Sequence, residues 1–191
     1  MKLNFMNYLE EKFPEDISEL IQKCEDVIMT IKQRFSNNEC LIVKNLYHPD
    51  KGHKQKDFIQ KLQVNCNTKL NEKIKNNNDV KGLYVFGEVD SLGIIHPVYI
   101  GISRTIFRRL YQHAWGTKHN EASFAYLMAK KRLDHLEKRD ALSTEELIFE
   151  KDKIKNYRLV VIPEDLDYDL YFMEVYIAGQ LKTKWNSFKT H

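Results

Sequence analysis

Little in this chain is suited to thiol chemistry, to covalent stapling or to a membrane. Cysteine occurs three times, at Cys24, Cys40 and Cys66, an odd number with no Cys-x-x-Cys pair. Such spacing gives neither a disulfide framework nor a cysteine zinc site, and a reducing cytoplasm is the expected setting. No apolar run approaches the roughly 18 residues that span a bilayer, and the amino terminus lacks a basic segment leading into an apolar one, so neither a membrane-bound nor a secreted protein is expected. A large excess of one charge is also missing: 30 basic residues stand against 27 acidic ones, for a net charge of +3. Any affinity for a polyanion must therefore come from how the charge is distributed. Internal repeats and low-complexity segments are absent.

What remains is an ordinary globular composition, 42% hydrophobic and 30% charged over 191 residues. A chain of this length buries roughly 70% of its unfolded surface and needs no staples. The first 30 residues are mainly acidic, and lysines predominate from Lys32 to Lys75.

Apolar residues at Ile17, Leu20, Ile21, Cys24, Val27, Ile28, Ile31 and Phe35 have the three-four spacing of a helix with one buried face. The stretch 40–47 is ambiguous, and 48–54 reads as a turn. Phe58, Leu62, Cys66 and Leu70 support a second helix, closed by the asparagine run at 76–78. That run marks a boundary between an N-terminal helical region (1–79), a candidate DNA-binding or interaction part, and a second domain (80–191). The periodicity then changes. Residues 82–90 and 93–101 are β-branched and aromatic and read as a hairpin, whose turn centred between Ser91 and Leu92 sets Tyr84 directly opposite Tyr99. Pro97 lacks an amide hydrogen, so its strand lies at an edge there or its nitrogen faces away from the neighbour. Helices are expected at 105–114, 122–138 and 144–155, a third strand at 157–163 and a last helix at 167–182.

Several residues in this frame can carry chemistry. On the helical wheel Arg109 and His113 lie together at the edge of the apolar arc formed by Ile106, Phe107, Leu110 and Ala114, while Arg108 points the other way. An arginine fixed beside a buried stripe suits recognition of phosphate oxygens, although a solvated basic face is the plainer alternative. Glu174 falls within the apolar stripe of Leu170, Met173, Ile177, Ala178 and Leu181. A carboxylate there must be protonated, paired with a cation such as Arg109, or bound to a metal. Tyr84 and Tyr99 share a patch, and could equally fill core space. His48 and His53 lack nearby cysteines, so a turn is favoured over a zinc site. Lys51, Lys54, Lys56, Lys61, Lys69 and Lys73 could track a DNA backbone.

The triplet Gly82-Leu83-Tyr84, then fourteen residues, then Tyr99-Ile100-Gly101 resembles the GIY-YIG nuclease family, with Leu83 in place of isoleucine. Arg109 stands ten positions after the second tyrosine, His113 four further on, and Asn186 twelve after Glu174, all in the family's order. The resemblance covers about 82–188. It implies an α+β fold with a small three-stranded antiparallel sheet flanked by helices, here with an N-terminal helical extension. It also implies divalent-metal-dependent phosphodiester hydrolysis, with Mg2+ or Mn2+ at Glu174 and Tyr84, Tyr99, Arg109, His113, Glu174 and Asn186 as catalytic residues. On this basis Arg109 contacts the phosphate and Tyr84 orients or deprotonates the attacking water, a step needing help because ionising a phenol of pKa about 10 at pH 7.5 costs roughly 3.4 kcal/mol. Arg108, Lys118 and His119 are candidate nucleic-acid contacts. The expected function is a DNA endonuclease of restriction or defence type. A structure-selective repair nuclease and a non-catalytic nucleic-acid-binding module are the alternatives, and the helix at 17–35 is a candidate homodimer surface.

Overall fold

The computed structural model describes residues 16–48, 79–117, 121, 123–133 and 144–188. The expected helix at 58–70, the asparagine run, His53, Lys118, His119 and the lysines between Lys51 and Lys73 lie outside them. Among the described residues no helix is long and apolar enough to cross a membrane.

Helix α1 (Ile17–Ser36) begins where the Asp16 carboxylate accepts the Ser18 N–H at 2.7 Å. It buries Leu20, Cys24, Ile28, Ile31 and Phe35, the stripe that its spacing predicts. Next come a two-residue strand β1 (Leu41–Ile42), a 3-10 turn (Val43–Leu46), the hairpin strands β2 (Gly82–Val89) and β3 (Ile95–Ser103), and helices α2 (Ile106–Trp115), α3 (Ser123–Leu133) and α4 (Thr144–Lys155). Strand β4 (Arg158–Pro163) and helix α5 (Asp167–Leu181) close the chain. The fold is α+β.

The antiparallel sheet has four strands, in the order β1-β4-β2-β3, rather than the three expected. The extra strand comes from the ambiguous stretch: Leu41 and Ile42 pair with Leu159 and Arg158. Two residues are too few for an alternating pattern to show. Along β2 the even positions Tyr84 and Phe86 face a core built with α2, α3 and α4, and the odd positions Leu83 and Val85 face α1 and α5. The apolar stripe of α1 is thus covered by its own sheet and by α5, so α1 packs against the strands that follow residue 80. Lys23 fastens the α1–α5 contact, bridging Glu164 at 2.5 Å and Asp169 at 2.7 Å.

The hairpin register also differs from the expected one. The turn is five residues, not two: Asp90 Oδ1 accepts the Leu92 and Ile94 amides, and Gly93 takes a φ of +82°, a left-handed conformation that favours glycine. A register shift follows between Phe86 and Gly87, where β3 bulges at Val98. Tyr84 consequently pairs with Gly101, and Tyr99 with Phe86. All three aromatic side chains still share a face. Pro97 sits on the edge strand beside the bulge, where a missing N–H is tolerated.

The new register explains Gly101. A Cβ there would lie 2.5 Å from Tyr84 Cζ and 3.0 Å from its Cε1, so the phenol lies across the bare β3 backbone. Gly101→Ala should displace Tyr84 and destabilise the protein by about 1–3 kcal/mol. Urea unfolding measures this, and an unchanged midpoint would contradict the close approach.

Candidate functional site

The inner end of the site is a hydrogen bond between two buried groups. The Tyr84 hydroxyl and His113 Nε2 are 2.8 Å apart, joining the middle of β2 to the third turn of α2. Both side chains are almost wholly sealed, at 1% and 0% exposure. Burial pushes His113 well below the usual imidazole range, helped by the charge of Arg109, so the ring is neutral. Among the described residues its Nδ1 is buried with no partner. A buried N–H without an acceptor costs more than a bare lone pair, which places the proton on Nε2 and makes His113 the donor to Tyr84.

The two tyrosines are not equivalent. Burial holds the Tyr84 phenol well above pKa 10; the charge of Tyr99 adds to this, and Arg109 opposes it. Tyr99 is raised less: burial is again the main cause, Arg109 lowers it, Glu174 raises it, and hydrogen bonding from Tyr84 lowers it. Tyr99 is also the partly exposed member of the pair. Of the two Tyr99 ionises first, while the Tyr84 hydroxyl is held by His113 and its ring packs against Tyr99 with centroids 6.2 Å apart.

Arg109 projects from α2, and its charge is felt by both tyrosines. Its guanidinium reaches Gln112 Oε1 at 3.4 Å and Ser123 Oγ at 3.1 Å, and among the described residues no carboxylate lies within ion-pair distance. Ser123 and its neighbour Phe124, which open α3, belong to the long helical insertion, and the sequence reading missed both. The Phe124 ring stacks on Tyr99 with centroids 4.4 Å apart and on Phe86 at 5.7 Å. The insertion therefore supplies the wall of the site. No pattern in the sequence points to it, because the contact is made only when α3 folds back on the hairpin.

Glu174 lies on α5, which packs along the edge strand β3. Burial among apolar neighbours raises its carboxyl from 4.5 to about 6. Its negative charge is near enough to raise both tyrosines. The expected alternative, an ion pair with Arg109, is not formed, and among the described residues Glu174 has no hydrogen-bond or ion-pair partner. This is a carboxylate suited to a hard cation. Among the described residues no cluster of three or more His, Cys, Asp or Glu forms.

Two expected site residues lie elsewhere. Asn186 is engaged with the β3 edge: its Oδ1 accepts the Ile100 N–H at 2.8 Å, its Nδ2 donates to the Ile100 carbonyl at 2.8 Å, and the Thr183 hydroxyl donates to Oδ1 at 2.9 Å. It extends the sheet and positions the chain after α5, rather than entering the cluster. Arg108 is exposed. The amide N–H groups of Phe107 and Arg108 at the start of α2 are occupied by the Asp79 carboxylate at 2.8 and 3.2 Å, which leaves that helix end closed to a phosphate.

A raised carboxyl is a stability statement. Folding favours the protonated form of Glu174, so its contribution is full below pH 4.5 and is lost as pH rises through about 6. In EDTA, Glu174→Gln should therefore be more stable than the parent at pH 7.5, by about 1 kcal/mol after discounting for solvent screening, with the difference vanishing below pH 4.5. Thermal melts across pH check this, and a glutamine variant less stable than the parent at pH 7.5 would show that the carboxylate has a hidden cation partner.

Comparison with models of protein families, with curated proteins and with solved structures finds no match to this chain.

Proposed function

We propose that the protein is a divalent-metal-dependent endonuclease that hydrolyses phosphodiester bonds in DNA. The observation that carries this reading is the convergence of Tyr84, Tyr99, Arg109 and His113 beside a carboxylate, Glu174, that is desolvated and unpaired among the described residues. The resemblance of Gly82-Leu83-Tyr84, Tyr99-Ile100-Gly101, Arg109, His113 and Glu174 to the GIY-YIG nucleases supports the same chemistry.

Glu174 would hold a divalent cation, Mg2+ or Mn2+, which would supply positive charge to offset the charge that develops on the leaving oxygen. Everything else is work for the chain's own side chains. Arg109, held by Gln112 and Ser123 with donors to spare, binds the non-bridging oxygens of the phosphate and lowers the cost of charge on Tyr99. Tyr99, after releasing its own proton to solvent, takes the proton of the attacking water as the phenolate, a role first expected of Tyr84; its partial exposure and its lesser upward shift favour it. Behind it His113 holds the Tyr84 hydroxyl at 2.8 Å, and the Tyr84 ring packs against Tyr99. Phe124 excludes bulk water from the Tyr99 ring face. Asn186 has a positioning role, because its amide is committed to Ile100.

With plasmid DNA and Mg2+, Glu174→Gln should abolish cleavage while binding in EDTA persists. Tyr99→Phe should slow cleavage by at least about 10²-fold and Tyr84→Phe by about tenfold, since only the former removes the base. Because the phenol titrates above 10, the parent rate should also rise with pH through the neutral range. A Tyr99→Phe variant cleaving at the parent rate would refute this assignment, and metal-independent or Glu174-independent cleavage would refute the mechanism.

A further inference from the structure

Beside the candidate site lies a second group of side chains that the hydrolytic chemistry does not use. Trp185 follows α5 and is anchored by its backbone N–H, which donates to the Val98 carbonyl at 3.0 Å. Its ring meets Phe124 edge-on at 6.3 Å between centroids, and Phe124 in turn stacks on Tyr99. One aromatic ring separates Trp185 from the tyrosine that faces the substrate.

Two lysines from different elements converge on this indole. Lys131 of α3 places its Nζ 5.4 Å from the ring centroid, and Lys184, one residue before Trp185, places its Nζ at 4.9 Å. The two ammonium groups are thus no further apart than the sum of those distances. Neither has an ion-pair partner among the described residues, whereas their neighbour Arg132 is neutralised by Glu150 at 2.7 Å. Each gains only a modest cation–π attraction from the ring, about 0.5–1 kcal/mol at an exposed position, and each repels the other within roughly a Debye length. Two unneutralised cations on one rigid ring are complementary to an anion.

We propose that Lys131, Lys184 and Trp185 form a subsite for a backbone phosphate of the nucleic-acid strand flanking the scissile one. The strand then runs from Arg109 toward Trp185, and the helical insertion both walls the site and supplies one half of the phosphate clamp. The inference rests on the nuclease reading for its ligand but on separate residues for its geometry.

The test is binding of a short fluorescent DNA duplex in EDTA over a range of salt concentrations, by the full chain and by Lys131→Gln/Lys184→Gln. Both lysines are exposed, so thermal melts of the variant should match the parent. Loss of both lysine contacts to that phosphate should weaken binding at least about tenfold at low salt and flatten the slope of log K against log salt by about 1. Lys32→Gln, on the exposed face of α1, should leave both unchanged. An unaltered affinity and slope in the double variant, or no binding by the parent, would overturn the proposal. DNA binding that depends on the two lysines without metal-supported cleavage would retain the subsite and remove the hydrolytic reading. Cleavage with an unaltered salt slope would do the reverse.

Discussion

The site depends on a carboxylate left without a counter-charge. Glu174 is carried into apolar surroundings by α5, whose stripe of Leu170, Met173, Ile177 and Ala178 docks against the sheet, and the cost of ionising it there appears in its pKa of about 6. Arg109 does not relieve that cost, being engaged with Gln112 and Ser123. Under the proposed function the guanidinium is kept for a phosphate and the carboxylate for a hard cation.

Around that pair the aromatic packing sets direction. Tyr84 crosses the β3 backbone at Gly101, which fixes its hydroxyl against His113; Phe86, Phe124 and Tyr99 stack in sequence toward the surface. The rings exclude water, and in the resulting low dielectric the hydrogen bond between His113 and Tyr84 is stronger than it would be in solvent. The same burial raises both phenols, so both are neutral at rest. Asn186 and Trp185, by closing the outer edge of β3, keep the strand that bears Tyr99 from fraying.

Much of this could be read from the chain alone, and the failures have physical causes. The stripe of α1, the hairpin, and the position of Glu174 within an apolar helix face follow from local periodicity, which needs no knowledge of partners. Strand β1 was too short to show a period. The register depended on Asp90 capping a five-residue turn and on a bulge at Val98, neither of which alternation encodes. An amphipathic helix looks the same whether it covers its own sheet or another subunit, so α1 was assigned to an extension. Ser123, Phe124 and the backbone-binding role of Asn186 rest on contacts between segments distant in sequence, where residue type alone carries no signal. The ordering of Tyr99 before Tyr84 required burial to be known.

The central claim is that the cation seat is the Glu174 carboxylate, open beside Arg109. Crystals of the protein soaked in Mn2+ with a short DNA duplex, measured for anomalous scattering from manganese, test it most directly. The account predicts a peak at about 2.1 Å from a Glu174 Oε, the spacing of a hard divalent ion on a carboxylate, with a phosphate oxygen on its far side. A Glu174 side chain ion-paired to Arg109 with manganese bound elsewhere would contradict it.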